Sequence, residues 1–176
     1  MGKSFIEIKP LEIEHLQNSD WLNWLSDYET TKFQNLGYLP QNKSRQISYL
    51  EKILTSSEDA IFSIEIKREN KINLHIGNVA LHKIDFIHRR CVLGIIIGEK
   101  EYRGKGVGLH SWDFITNHAF NMLNLRKVYA YIFEGNIPSI KCAESCGYIK
   151  EAKFIDYFYR HGKYHNCIVY SKTASK

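Results

Sequence analysis

The stretch "GIIIGEKEYRGKGVGLH", Gly94 to His110, sets an apolar run, a charged turn and three alternating glycines in front of a helical pattern. A strand that feeds a glycine loop and then a helix is a physical solution for holding phosphate. The first N–H groups of a helix have no intrahelical partner, and the helix dipole favours negative charge beside them. Gly104, Gly106 and Gly108 remove the Cβ atoms that would keep a pyrophosphate from those donors, while Arg103 and Lys105 add positive charge.

Spacing excludes two familiar phosphate loops. The GxxxxGK[ST] pattern is absent, and the dinucleotide pattern GxGxxG fails because Leu109 stands where its third glycine belongs. No acidic residue stands at the end of a following strand about 20 residues on, where a ribose would need one.

Outward from the loop, hydrophobic period assigns the rest. Towards the N-terminus, "FIEIKPLEIEH" (5–15) begins as a strand, and "HLQNSDWLNWLSDYETTKF" (15–33) spaces Leu16, Trp21, Trp24 and Leu25 for a helix or two short ones. "NKSRQISYLEKILTS" opens with a cap at Asn42 and repeats Ile47, Leu50, Ile53 and Leu54 on a helical face. From Ala60 the period becomes two: "AIFSIEIK" (60–67) and "INLHIGNVALHKID" (72–85) are strands around a polar turn. "CVLGIII" (91–97) lacks alternation, as a strand covered on both faces does.

Beyond the glycines, Leu109, Trp112, Ile115, Ala119, Phe120 and Leu123 mark a helix ending near Asn124. "KVYAYIF" (127–133) is the next strand. "NIPSIKCAESCGY" (136–148) is a helix with Pro138 in its first turn and Gly147 as its stop. Two closing strands, 151–159 and 164–171, flank a turn at His161 and Gly162. The order β-α-α-β-β-β-α-β-α-β-β points to an α+β fold around one mixed sheet.

The totals agree with one unit. The chain has 176 residues, 44% of them apolar, and only three prolines, with no Ser/Gly-rich linker and no repeat. Residues 1–176 are therefore expected to form a single domain. A net charge of +5 suits an anionic ligand, but the basic residues are scattered and form no stripe, so nucleic acid is not expected as a partner. Cysteines at 91, 142, 146 and 167 form no CxxC pair and no metal set, and no apolar run approaches eighteen residues. The expectation is a cytoplasmic protein with reduced thiols, no metal and no membrane partner.

Arg103-Gly104-Lys105-Gly106-Val107-Gly108 also fits [Q/R]-x-x-G-x-[G/A], and here the chain resembles the GNAT superfamily of acetyl-CoA-dependent N-acetyltransferases. Asn136, Ser139, Gly147 and Tyr148 stand where that superfamily has its N-x-x-[A/S]…G-[F/Y] helix, with Asn136 lying 33 residues after Arg103. "IGNV" (76–79), "HRR" (88–90) and "HGKYHNCIVYS" (161–171) are similar to its RimJ/RimL-like branch.

The resemblance implies a single GNAT-type domain: a mixed sheet of about seven strands, splayed between the fourth and fifth, with about four helices. It also implies acetyl-CoA as co-substrate, held by backbone groups of Ile95, Ile96 and Ile97, by the loop Arg103, Gly104, Lys105, Gly106, Val107 and Gly108, and by Asn136 and Ser139. One strand N–H would serve as an oxyanion donor.

The tyrosine that many members use to protonate the leaving thiolate is absent, since Ala143 stands seven residues past Asn136. For a base, Val92 replaces the acidic residue common near the start of the fourth strand. That leaves His88 in the preceding loop and Glu134 at the end of the fifth strand.

"WLNWLSDYETTKF" (21–33) resembles a segment of GNAT enzymes that acetylate amino sugars carried on nucleotides, and Tyr157, Phe158, Tyr159, Arg160 and His161 could wall the same site. The leading expectation is acetylation of a primary amine of a small molecule, such as a nucleotide-linked amino sugar, by direct attack in a ternary complex. A protein N-terminal alanine or serine is the alternative acceptor. A polyamine would want more acidic residues than "SDYETT" and "SSED" supply. A non-catalytic acyl-CoA-binding module is the competing class. The sequence leaves the oligomeric state, including a homodimer, open.

Overall fold

A computed structural model describes residues 6–36, 38–69, 71 and 73–175; Phe5 and Ile72, the first residues of two predicted strands, lie outside that set. The elements run β1 (Ile6–Pro10), α1 (Ile13–Gln17), α2 (Trp21–Ser26), α3 (Tyr28–Thr31), α4 (Lys43–Leu54), β2 (Ala60–Ile66), β3 (Leu74–Asp85), β4 (Arg90–Ile97), α5 (Val107–Asn117), β5 (Lys127–Phe133), α6 (Ile137–Ser145), β6 (Ile149–Arg160) and β7 (Lys163–Thr173). A 3₁₀ turn at Lys100–Tyr102 precedes α5, and a π turn at His118–Met122 follows it.

The strands form one sheet in the order β1-β2-β3-β4-β5-β7-β6. All neighbours are antiparallel except β4 and β5, which are parallel and paired only at Arg90 with Lys127, Cys91 with Val128 and Val92 with Tyr129. Beyond those pairs the two strands part, and the sheet is open between Leu93–Ile97 and Ala130–Phe133.

The fold is the expected α+β sheet of seven strands with a splayed centre, but the first predicted helical region is broken more finely. Ser19 and Asp20 interrupt it after Gln17, and Asp27 ends α2 while accepting a hydrogen bond from the Thr30 N–H at the start of α3. About four helices were expected and, among the described residues, six form.

Alternation along β4 sorts the core into two faces. Cys91 and Leu93, with Ile95 and Ile97 beside them, pack under α5 and α6 with Val107, Trp112 and Ile115. Ile96 faces the other way, into the cluster of Leu16, Trp21, Trp24, Leu25, Leu50 and Ile53 from α1, α2 and α4. Asn42 caps α4 by accepting from the Arg45 N–H at 2.9 Å. Gly147 (φ +77°) ends α6, with Tyr148 N–H returning to the Ala143 carbonyl at 2.9 Å.

Candidate active site

The site is built on the open edge of β4. Gly98 N–H donates to the Ile76 carbonyl (2.8 Å), and hydrogen-bonded pairs recur at every second residue of an antiparallel ladder. Ile96 with Asn78 and Gly94 with Ala80 are therefore the bonded pairs to β3. The main-chain groups of Leu93, Ile95 and Ile97 point the opposite way, into the gap before β5.

This corrects one expectation: Ile96 spends its backbone groups on β3, and only Ile95 and Ile97 present theirs to the gap. Two side chains already reach these groups. Gln34 Nε2 donates to the Ile95 carbonyl (3.0 Å), and Arg103 Nε donates to the Ile97 carbonyl (2.9 Å).

Arg103 differs from its predicted use. Its guanidinium also donates to the Gly98 carbonyl (3.1 Å) and to Thr30 Oγ1 (2.7 Å), so it turns inward and ties α3 to the end of β4. The predicted positive charge beside the loop falls to Lys105, which is exposed with Nζ 5.8 Å from the Tyr102 ring centre.

The glycine turn itself has the expected form. Gly104 (φ +71°) and Gly106 (φ +84°) occupy left-handed backbone, and a Cβ on either would meet nothing within 4 Å. Conformation rather than crowding requires glycine there. The first α5 amide with a helical partner is that of His110, which donates to the Gly106 carbonyl (3.0 Å). The N–H groups of Val107, Gly108 and Leu109 are left at the helix start.

Gly108 packs against α6, where a Cβ would touch Cys142 Sγ at 3.4 Å. Asn136 and Ser139 cap α6 together, the Asn136 side chain accepting from the Ser139 N–H at 3.4 Å. Ala143 is fully buried, so the missing tyrosine leaves no opening there. Burial pushes the Cys142 thiol up and the Cys146 thiol to about 11, and both fill space between α5 and α6.

Neither predicted base reaches the gap. His88 lies in the β3–β4 turn, bonded through Nδ1 to Asp85 at 2.9 Å. It is seven residues before Ile95 along the chain, roughly 23 Å at strand rise, at the closed end of the splay. Both Glu134 oxygens are engaged, by Lys153 and Asn166, and these hydrogen bonds lower its pKa. A carboxylate so held is a weak proton acceptor.

The aromatic run of β6 divides. Phe158 is buried and stacked on Phe133 (4.0 Å, 9°), while Tyr157 stacks over Tyr131 (6.4 Å, 16°). Arg160 is buried, donates to the Leu36 carbonyl (2.7 Å) and lies 4.6 Å from the Tyr38 ring centre. Tyr159 pairs with Tyr164, and His161 with Tyr28.

Above the gap, on the α2 and α4 side of the sheet, is a cleft of about 980 Å³. Its floor includes Asn78, His82, Gly94, Ile95 and Ile96. Trp21, Trp24, Tyr38, Tyr49, Tyr131 and Tyr157 give it aromatic walls, and Arg45, Lys52 and Lys83 give it positive charge. Among the described residues that line it there is no carboxylate.

Trp24 joins the cleft to the loop: a Cβ on Gly98 would fall 1.9 Å from its Cδ2, and its Nε1 donates to Glu99 (3.0 Å). Sequence reading missed Gln34, which lines the cleft, and the bond by which His82 on its floor is held from behind by Asp59 (Nδ1 to Oδ1, 2.7 Å). The available signal was the polar interruption of "HIGNVALHK" at 78 and 82, two positions on the same face of the strand.

A splayed parallel pair with a glycine loop and helix at its open end defines an acetyltransferase of the GNAT type. The chain belongs to that family: residues 6–149 match the acetyltransferase (GNAT) domain. A spermidine N(1)-acetyltransferase of Vibrio cholerae is 33% identical over 89 residues, 51% of this chain and 51% of that protein. The chain thus spans about half the length of that curated relative. An N-acetyltransferase of Bacillus licheniformis, p20, is 27% identical over 160 residues, 89% and 88% of the two chains. The crystal structure of the Vibrio cholerae spermidine N-acetyltransferase with CoA and spermine superposes with a TM-score of 0.84 at 22% identity, covering 96% of this chain and 95% of that one, which speaks for the fold. Among the described residues, no helix is long and apolar enough to cross a membrane.

Proposed function

We propose that the protein transfers the acetyl group of acetyl-CoA to a primary amine carried on a neutral or anionic scaffold, by direct attack in a ternary complex. The observation that carries this reading is the join between the free edge of β4 and a large aromatic cleft that has three cations and, among its described lining residues, no carboxylate. In it, Ile95 and Ile97 pair with the pantetheine arm, and one of their N–H groups faces the carbonyl oxygen as charge develops there. The N–H groups from Gly104 to Leu109, with Lys105, take the pyrophosphate. Asn136 and Ser139 keep α6 closed against α5 beside it.

A nucleotide-linked amino sugar suits this cleft best. Its base can stack on tyrosine or tryptophan, and its phosphates meet Arg45, Lys52 and Lys83. Kinship with spermidine acetyltransferases supports a polyamine instead, but a polycation would be desolvated among like charges there. The RimJ/RimL-like resemblance supports a protein N-terminus as the third acceptor. We take residues 1–176 as one such domain, and its four free thiols suit the reducing cytoplasm.

Thiol release from acetyl-CoA, followed with a uridine diphosphate amino sugar, an Ala- or Ser-initiated peptide and spermidine, tests the reading. Turnover is expected with the sugar nucleotide and to fall with Lys52→Ala or Arg45→Ala. Turnover on spermidine above the other two would overturn the acceptor class, and acetyl-CoA binding without turnover on any amine would favour a binding module.

A further inference from the structure

The geometry points to His82, oriented by Asp59, as the general base that takes the proton from the acceptor amine. This inference rests on the acetyltransferase reading above and adds to it the group that performs the proton transfer.

His82 Nδ1 lies 2.7 Å from Asp59 Oδ1, and the other Asp59 oxygen accepts from Ser56 Oγ at 2.7 Å. With its Nδ1–H given to the carboxylate, the imidazole keeps its lone pair on Nε2. That nitrogen looks across β4: an ideal Cβ on Gly94 would be 3.3 Å from Nε2 and 3.2 Å from Cδ2. Glycine at 94 is what lets the ring lie on the strand, next to the peptide that presents Ile95 N–H to the gap. His82 also lines the cleft, so an amine reaching the thioester from the cleft passes the ring.

An amine that arrives protonated cannot attack. In the step assigned here the ammonium gives one proton to His82 Nε2, and the freed nitrogen then bonds to the acetyl carbon as the C–S bond breaks. The second nitrogen proton goes to the departing thiolate, and the imidazolium releases its proton to water. Products are the acetamide, CoA thiol and one proton, so the step balances without a further reactant. Asp59 is a positioning residue that holds the ring and stabilises the imidazolium.

The charged and titratable groups around the pair are known. Tyr49 of α4 feels the Asp59 charge, Lys83 adjoins His82 in sequence on β3, and Arg45 and Lys52 of α4 line the same cleft. Burial and the Asp59 charge hold the Tyr49 hydroxyl up at about 12, so it does not titrate in the working range. Gly94 and Val92 of β4 carry no charge.

Two measurements on the full chain test the assignment. The first needs no acceptor: long-range ¹H–¹⁵N spectra with acetyl-CoA present should show His82 protonated at Nδ1 in its neutral form, with that preference lost in Asp59→Asn. A neutral His82 protonated at Nε2 would overturn the proposal. The second is the pH profile of kcat/KM on the fastest of the three amines of the acceptor screen. His82→Ala should fall about 100-fold at pH 7 and approach wild type at high pH, where the amine is already free, with acetyl-CoA affinity unchanged. A loss equal at every pH would make the role structural and overturn the base. If no amine turns over, the acceptor reading fails and the spectra alone decide this one.

Discussion

Gln34 Nε2 sits 3.0 Å from the Ile95 carbonyl, so the loop after α3 is fastened to the edge of β4 that faces the gap. This single bond couples the wall of the cleft to the edge on which the thioester would lie. Gln34→Ala should loosen the wall rather than the edge. The expected loss of about 1 kcal/mol would raise the acceptor KM roughly fivefold. Calorimetry with acetyl-CoA should find affinity within about twofold of wild type; a larger drop there would place Gln34 on the co-substrate instead.

Gly98→Ala would act through Trp24. The added methyl falls inside the indole, 1.9 Å from Cδ2, so the ring must leave and its bond to Glu99 must break. Overpacking of this kind costs about 1–3 kcal/mol. Thermal denaturation should register that cost, and acceptor turnover should fall further than acetyl-CoA binding does.

Arg103 and Lys105 should separate cleanly. Arg103→Ala removes hydrogen bonds to the Ile97 and Gly98 carbonyls and to Thr30, and a stability loss of roughly 2–4 kcal/mol is expected in urea unfolding. Arg103→Lys keeps the charge but loses the planar fork, and should restore little. Lys105→Ala should leave the unfolding midpoint in place and weaken acetyl-CoA severalfold, less so at high salt.

His75 gives stability an acid limit. Burial is the main cause that holds its pKa down at about 4, against an ordinary value of 6.5, and the neutral ring bonds to Ser19 (3.0 Å) and Asn78 (2.8 Å). Because the folded value lies below the unfolded one, its contribution is complete above pH 6.5 and is lost as pH falls towards 4. The amount is of order 3 kcal/mol. Urea unfolding between pH 7 and 4 should show this slope, and His75→Gln should flatten it. Glu65 extends the loss to lower pH: burial would raise it, but hydrogen bonds from His15, Asn73 and Ser63 outweigh that and hold it at about 2.

What the sequence disclosed depended on whether one residue type answered one local demand. Gly104, Gly106 and Gly147 were legible because positive φ admits few alternatives, and Asn42 and Asn136 because a helix start needs an acceptor. The β4 run "CVLGIII" could be identified as a buried strand, yet its register on β3 fixes which isoleucines face the gap, and three consecutive isoleucines carry no mark of register. Arg103 beside a glycine loop looked like a phosphate ligand; its inward turn depends on Thr30, 73 residues away. His82 and Asp59 are 23 residues apart and meet only because β2 and β3 form a hairpin. His88 and Glu134 were selected by chain position near the ends of the right strands. Strand direction puts His88 at the closed end, and the partners of Glu134 lie on strands whose pairing no local pattern reveals.

The three-residue pairing of β4 with β5 makes the sheet two rafts, β1 to β4 and β5 to β7, moored by a short hawser. Each raft can ride against the other more freely than its own planks can shift. A pantetheine arm laid along Ile95 and Ile97 would act as a second mooring line, so the protein would be most nearly one solid body while it holds the molecule it is about to cleave.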